Sequence, residues 1–154
     1  RPAVSGANLT NIDGGKILQI VSTPQNDLNQ ANNNTTTYAD VSGVDLVFTP
    51  TSASSKFIYF VNYNVDTGGS GHGLNSQLTF NHSGISQSQV DPADDNYAFH
   101  VTGDRANNWI AKTYYHTPNT TNEITLRLQF KSDASGELVY FNRKTLQIIA
   151  WEYA

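Results

Sequence analysis

The sequence predicts an all-β domain: an antiparallel β-sandwich, jelly-roll-like, with about eight or nine strands. Three observations carry that expectation. Apolar residues recur with period two, β-branched and aromatic residues fill the apolar runs, and turn residues punctuate the runs at short intervals. No segment shows a helical period. The order of strands within the sheets is not legible at this level.

The elements follow in chain order. Lys16–Ser22 is a strand opened by Asp13-Gly14-Gly15, and Val44–Thr49 is a strand closed by Thr49-Pro50-Thr51. Phe57, Tyr59, Val61, Tyr63 and Val65 alternate along the next, where Ile58 and Phe60 interleave, so its first half is expected to be covered on both faces. Leu74, Ser76, Leu78 and Phe80 mark a weaker strand, and Asn96–Thr102 another. Trp109–His116 is ambiguous. Trp109, Ala111, Thr113 and Tyr115 share one face, Ile110, Lys112, Tyr114 and His116 the other, and both carry aromatics. Ile124, Leu126, Leu128 and Phe130 alternate with polar residues, the pattern of a half-buried strand. Ser135-Gly136 predicts a hairpin turn before Leu138–Asn142, and Asn142-Arg143-Lys144 a tight link to the last strand, Thr145–Tyr153. Gln25–Thr37, Ser83–Asp95 and the glycine-rich Asp66–Gly73 read as loops, the first two long enough to suggest function or disorder.

A chain of 154 residues is one domain by length and can bury a full core unaided. It has no cysteine, so disulfides and thiolate metal sites are excluded. It also lacks methionine and starts at Arg1, and is expected to be a piece of something longer. A net charge of −4 with 14% charged residues argues against nucleic acid as a partner, which needs clustered Lys and Arg. The apolar runs are too short for membrane insertion, and no signal-peptide layout opens the sequence.

The closing segments resemble a known family. Tyr114-Tyr115-His116-Thr117-Pro118-Asn119-Thr120-Thr121, then Gly136-Glu137-Leu138-Val139-Tyr140-Phe141-Asn142-Arg143, then Leu146 through Ala154 are similar to the final hairpins of phage and environmental-virus tail-fibre domains. Those domains often carry a T-P or S-P turn, a V-Y-x-N-R element and a last strand ending M-E-x-A or similar. At the front, Gly14-Gly15-Lys16-Ile17-Leu18-Gln19-Ile20-Val21 resembles their G-G-K-V-L-Q-V-V opening. Asp40–Leu46 and Thr49–Lys56 are similar to the next segments, and Gly6–Ile12 to the end of a fibre shaft. Trp151 and Tyr153 depart from the usual smaller or aliphatic residues, and residues 68–105 match nothing in the pattern. The resemblance implies a connector or shaft end at residues 1–13 and a head at 14–154. It also implies an extracellular virion location in the tail fibre, homotrimeric assembly, contact with the rest of the fibre, and attachment to a host cell-surface glycan or protein.

No catalytic motif is present: there is no G-x-S-x-G elbow, no H-E-x-x-H and no phosphate loop, and His72, His82, His100 and His116 are scattered. The chain is expected to be a non-enzymatic adhesin without a cofactor. A structural virion or capsid-decoration domain and a carbohydrate-binding module clipped from a larger enzyme are the alternatives. Candidate ligand residues are His72, Asp91, Asp94, Asp95, Asn96, Trp109, Tyr114 and Tyr115, since aromatic faces beside Asn and Asp hold sugars. His72, Asp91, Asp94 and Asp95 are also weak metal candidates, set against the simpler reading of solvated turns. Five N-glycosylation triplets, at Asn8, Asn33, Asn34, Asn81 and Asn119, are read as accidents of an Asn/Thr-rich composition.

Overall fold

The computed structural model describes residues 16–24, 27–67, 73–92, 97–100 and 107–154. The expected connector at residues 1–13 lies outside them. The described residues form strands and connections without a helix: β1 (Ile17–Ser22), β2 (Ala31–Asn33), β3 (Ala39–Asp40), β4 (Leu46–Phe48), β5 (Lys56–Thr67), β6 (Gly73–His82), β7 (Ile85–Gln89), β8 (Tyr97–His100), β9 (Asn107–His116), β10 (Ile124–Ser132) and β11 (Val139–Tyr153).

The pairing is nested. β1 pairs with β11, β3 and β4 with β10, β5 with β9, and β6 with β7 and β8, all antiparallel. Pairing the outermost strands first and the innermost last is what a jelly roll requires. β11 on β5 and β10 on β6 then join these pairs into two sheets, β1-β11-β5-β9 with β2 beside β11, and β3-β10-β6-β7 with β4 beside β10 and β8 beside β6.

The core lies between the sheets, where the alternation places it. Phe57, Tyr59, Val61, Tyr63 and Val65 from β5 meet Leu74, Leu78, Ile124, Leu126, Leu128 and Phe130 from the second sheet, all buried. Phe141 stacks on Tyr63 at 4.9 Å between ring centroids and meets Phe130 at 5.5 Å, bridging the layers. The Tyr63 hydroxyl hydrogen-bonds Ser76 Oγ, which satisfies both polar groups inside the core.

Three expectations change. Ser135-Gly136 does not turn a hairpin: β10 and β11 belong to different sheets, so the segment carries the chain across the sandwich. Gly136, at φ +88, supplies the left-handed backbone there, and its N–H donates to Asn34 O. The last two predicted strands are one. The register jumps between Asn142 and Gln147 while β5 advances only from Asn64 to Asn62, so the intervening residues form a wide bulge in β11. Thr145 Oγ1 accepts from Asn64 N–H at 3.0 Å and donates to Asn142 O at 2.8 Å, replacing ladder bonds lost to the bulge. The long polar stretches also hold strands, β2 in the first and β7 in the second. Asn33 pins the former by donating to Thr37 O and to Phe130 O in the second sheet. That buried, engaged amide is not a glycan acceptor.

The core account predicts that Leu128→Ala destabilises the fold by about 2–5 kcal/mol, whereas Leu128→Met costs under about 1.5 kcal/mol, read by urea denaturation. Equal small effects would show the site is not close-packed.

Candidate functional site

The outward face of the first sheet is unusual because it exposes several large apolar and aromatic side chains among uncharged polar ones. Register fixes its rows. Ile20, Trp151, Ile58 and Tyr115 lie side by side across β1, β11, β5 and β9, and Ser22, Ile149, Phe60 and Thr113 form the next row. Gln147, Asn62 and Ala111 follow, and Trp109 opposite Asn64 comes last. Trp109 is 66% exposed, Tyr115 71%, Ile20 55% and Trp151 37%. Phe60 and Trp151 meet edge to face at 5.3 Å. Along these rows no side chain is charged. Lys56 stands beyond one end, beside Tyr153, and Asp66 beyond the other. An antiparallel sheet with one solvated face normally presents polar residues there, and contiguous exposed apolar surface marks an interaction site.

The sequence-predicted residues divide. Trp109 and Tyr115 belong to this face. Tyr114 does not: it points into the sandwich and is buried in the core, so it is unavailable as a ligand platform. The inward face of β9 is Ile110, Lys112, Tyr114 and His116. Lys112 reaches across to donate to Ser76 O at 3.2 Å, and an inward-pointing charge on an edge strand discourages strand addition. Asp91 is exposed just after β7. His72, Asp94, Asp95 and Asn96 lie outside the described residues. Among the described residues no three His, Cys, Asp or Glu side chains converge as a metal site would need. Sequence reasoning missed Ile20, Ile58, Phe60 and Ile149 as members of one surface. Their signal was the interleaved Phe57-Ile58-Tyr59-Phe60 run, but the outer half of that run is only half-buried by this chain.

The second sheet's outward face is the opposite. Gln77 donates to Gln129 at 2.6 Å, Gln129 to Asp40 at 2.7 Å, and Gln89 to Gln77. Arg127 pairs with Asp40 at 2.8 Å and with Asp45 through two bonds. Hydrogen bonds and charge from Asp45, with those from Asp40, hold the guanidinium still more firmly protonated than usual, against its partial burial. Much of this face is a lattice of mutually bonded amides and ions.

One end of the sandwich is polar inside. Glu152 is fully buried. Burial opposes its charge, yet donors from Gln19 Nε2, Thr51 N (2.7 Å) and Thr51 Oγ1 (2.9 Å) outweigh it, so its carboxyl titrates below the usual range. Those bonds tie β1 and the β4–β5 connection to the last strand. Tyr59 hydrogen-bonds His116 Nδ1 at 3.0 Å. Burial, then the Glu152 charge, pushes the phenol's pKa up. Burial, then the charge of His82, depresses His116 to about 4.

Topology defines a two-sheet jelly-roll domain whose first sheet exposes aromatic side chains on its outward face. No protein-family model and no curated protein sequence matches the chain. Among solved structures it is similar to the Eiger TNF of S. frugiperda, with a TM-score of 0.44 and 10% identity over 90% of this chain and 94% of that one. It is also similar to infectious bursal disease virus of the Gx strain (TM-score 0.47, 11% identity, 88% of this chain) and the Gt strain (0.45, 12%, 91%). The chain spans 39% and 38% of those viral chains.

Since folded His116 takes up a proton only near pH 4 while an unfolded histidine does so near 6.5, stability is full above about 6.5 and falls as the pH drops toward about 4. Denaturation midpoints across that window should show the slope in the native chain and a weaker one in His116→Gln. An unchanged slope would assign it elsewhere.

Proposed function

We propose that this chain is the head of a viral tail fibre: a non-enzymatic domain that assembles as a homotrimer on the virion and binds a host cell-surface receptor, a glycan before a protein. The apolar outward face of the first sheet carries the reading. Its rows hold Ile, Phe, Trp and Tyr among Ser, Thr, Asn and Gln with no charge among them, so a second copy of the same surface meets no unpaired ion on desolvation. Aromatics at the centre of a face with charge kept to its ends is also the anatomy of protein–protein interfaces. Self-association there leaves the second sheet and its loops outermost, where a receptor would be met.

The tail-fibre resemblance of the closing segments supports the same reading, because β11 supplies both the resembling motif and the middle of the apolar face. Three heads on one fibre would convert weak contacts into avidity. A capsid-decoration domain uses the same assembly without a ligand, and a clipped carbohydrate-binding module uses a ligand without the assembly.

Light scattering should give three times the 16.9 kDa chain mass. Trp151→Glu or Ile58→Lys should return the monomer with little change in folding cooperativity, since both side chains lie outside the core. A wild-type monomer at every concentration contradicts the trimeric head.

A further inference from the structure

The second sheet's face is not closed everywhere. Where β6 turns into β7 at Ser83-Gly84, an open groove of about 820 Å³ runs beside the start of β10, within the size range of small-ligand sites. Asn81, His82, Ile85, Gln87, Glu123 and Thr125 line it. Thr125 and Asn81 are register partners, and Asn122 Nδ2 ties the turn to the β9–β10 connection through Ser83 O at 3.4 Å.

The groove's polar groups contrast with the saturated lattice next to them. Glu123, Asn81 and Thr125 make no side-chain hydrogen bond or ion pair among the described residues. His82 Nδ1 donates to Ser83 O at 2.9 Å, and Nε2 is buried with no partner.

Granting the fibre-head function above, we propose that this groove is the receptor subsite and that its ligand is a neutral, hydroxyl-rich sugar. The Glu123 carboxylate only accepts hydrogen bonds, while Asn81 and Thr125 both accept and donate. A donor-rich polyol fits that set, and exposed Ile85 offers an apolar wall to sugar C–H groups. An anionic sugar does not fit. Among its described lining residues the groove holds a carboxylate and no Lys or Arg, and the neighbouring Arg127 is neutralised by Asp40 and Asp45.

The test is a glycan array carrying neutral, amino and sialylated glycans, probed with the full chain, followed by titration of the best neutral hit. Asn81→Ala and Glu123→Ala should each weaken that hit about tenfold, as loss of a hydrogen bond does, at unchanged melting temperature and mass. Binding that survives both variants, or is confined to sialylated glycans, overturns the groove while leaving a glycan-binding head intact. An array on which the wild-type chain binds nothing sinks the glycan-receptor reading itself, and the groove with it.

Discussion

The ladder between β5 and β11 is the constraint on which the rest depends. It runs from Lys56 opposite Tyr153 to Thr67 opposite Val139, broken once by the bulge. Because side chains alternate across a strand, this one register settles both surfaces together. Phe57, Tyr59, Val61, Tyr63, Phe141 and Ile148 go inward, and Ile58, Phe60, Ile149 and Trp151 go outward. A slip of one residue would bury the outer set and expose the core. Glu152 guards the end of the ladder: its buried carboxylate is satisfied only while Gln19 and Thr51 stand where this register puts them.

Much of this was legible in the sequence. The alternation of Ile124, Leu126, Leu128 and Phe130, and of Phe57 through Val65, marked the core residues directly, because a half-buried strand has only one way to hide them. What was not legible was long-range. Nothing local to Ser135-Gly136 distinguishes a hairpin from a crossing between sheets, since either needs a left-handed glycine. Arg143 and Lys144 look like a turn but sit in a bulge, held open by Thr145 and by Arg143 donating to Asn29 O and Ser42 O. In β9 the two faces carry aromatics alike, so only the register with β5 reveals Tyr114 as core and Tyr115 as surface. His72 and residues 94–96, singled out early, are not placed by the described structure.

The two sheets divide the work by chemistry. The first spends its outward face on apolar and aromatic side chains, which gain by being covered. The second engages many of its amides and ions with one another, as in the Gln77–Gln129–Asp40–Arg127 chain. The fibre head proposed above would need this asymmetry.

Both tryptophans of the chain, Trp109 and Trp151, lie on the apolar face, so their fluorescence reports directly on whether that face is covered. Acrylamide quenching followed through a dilution series is the most direct measurement. Assembly through the first sheet predicts blue-shifted emission with weak quenching at high concentration, turning to strong quenching as the chain is diluted. Strong quenching of both tryptophans at every concentration would contradict it, because the face would then stand open to water in the free chain.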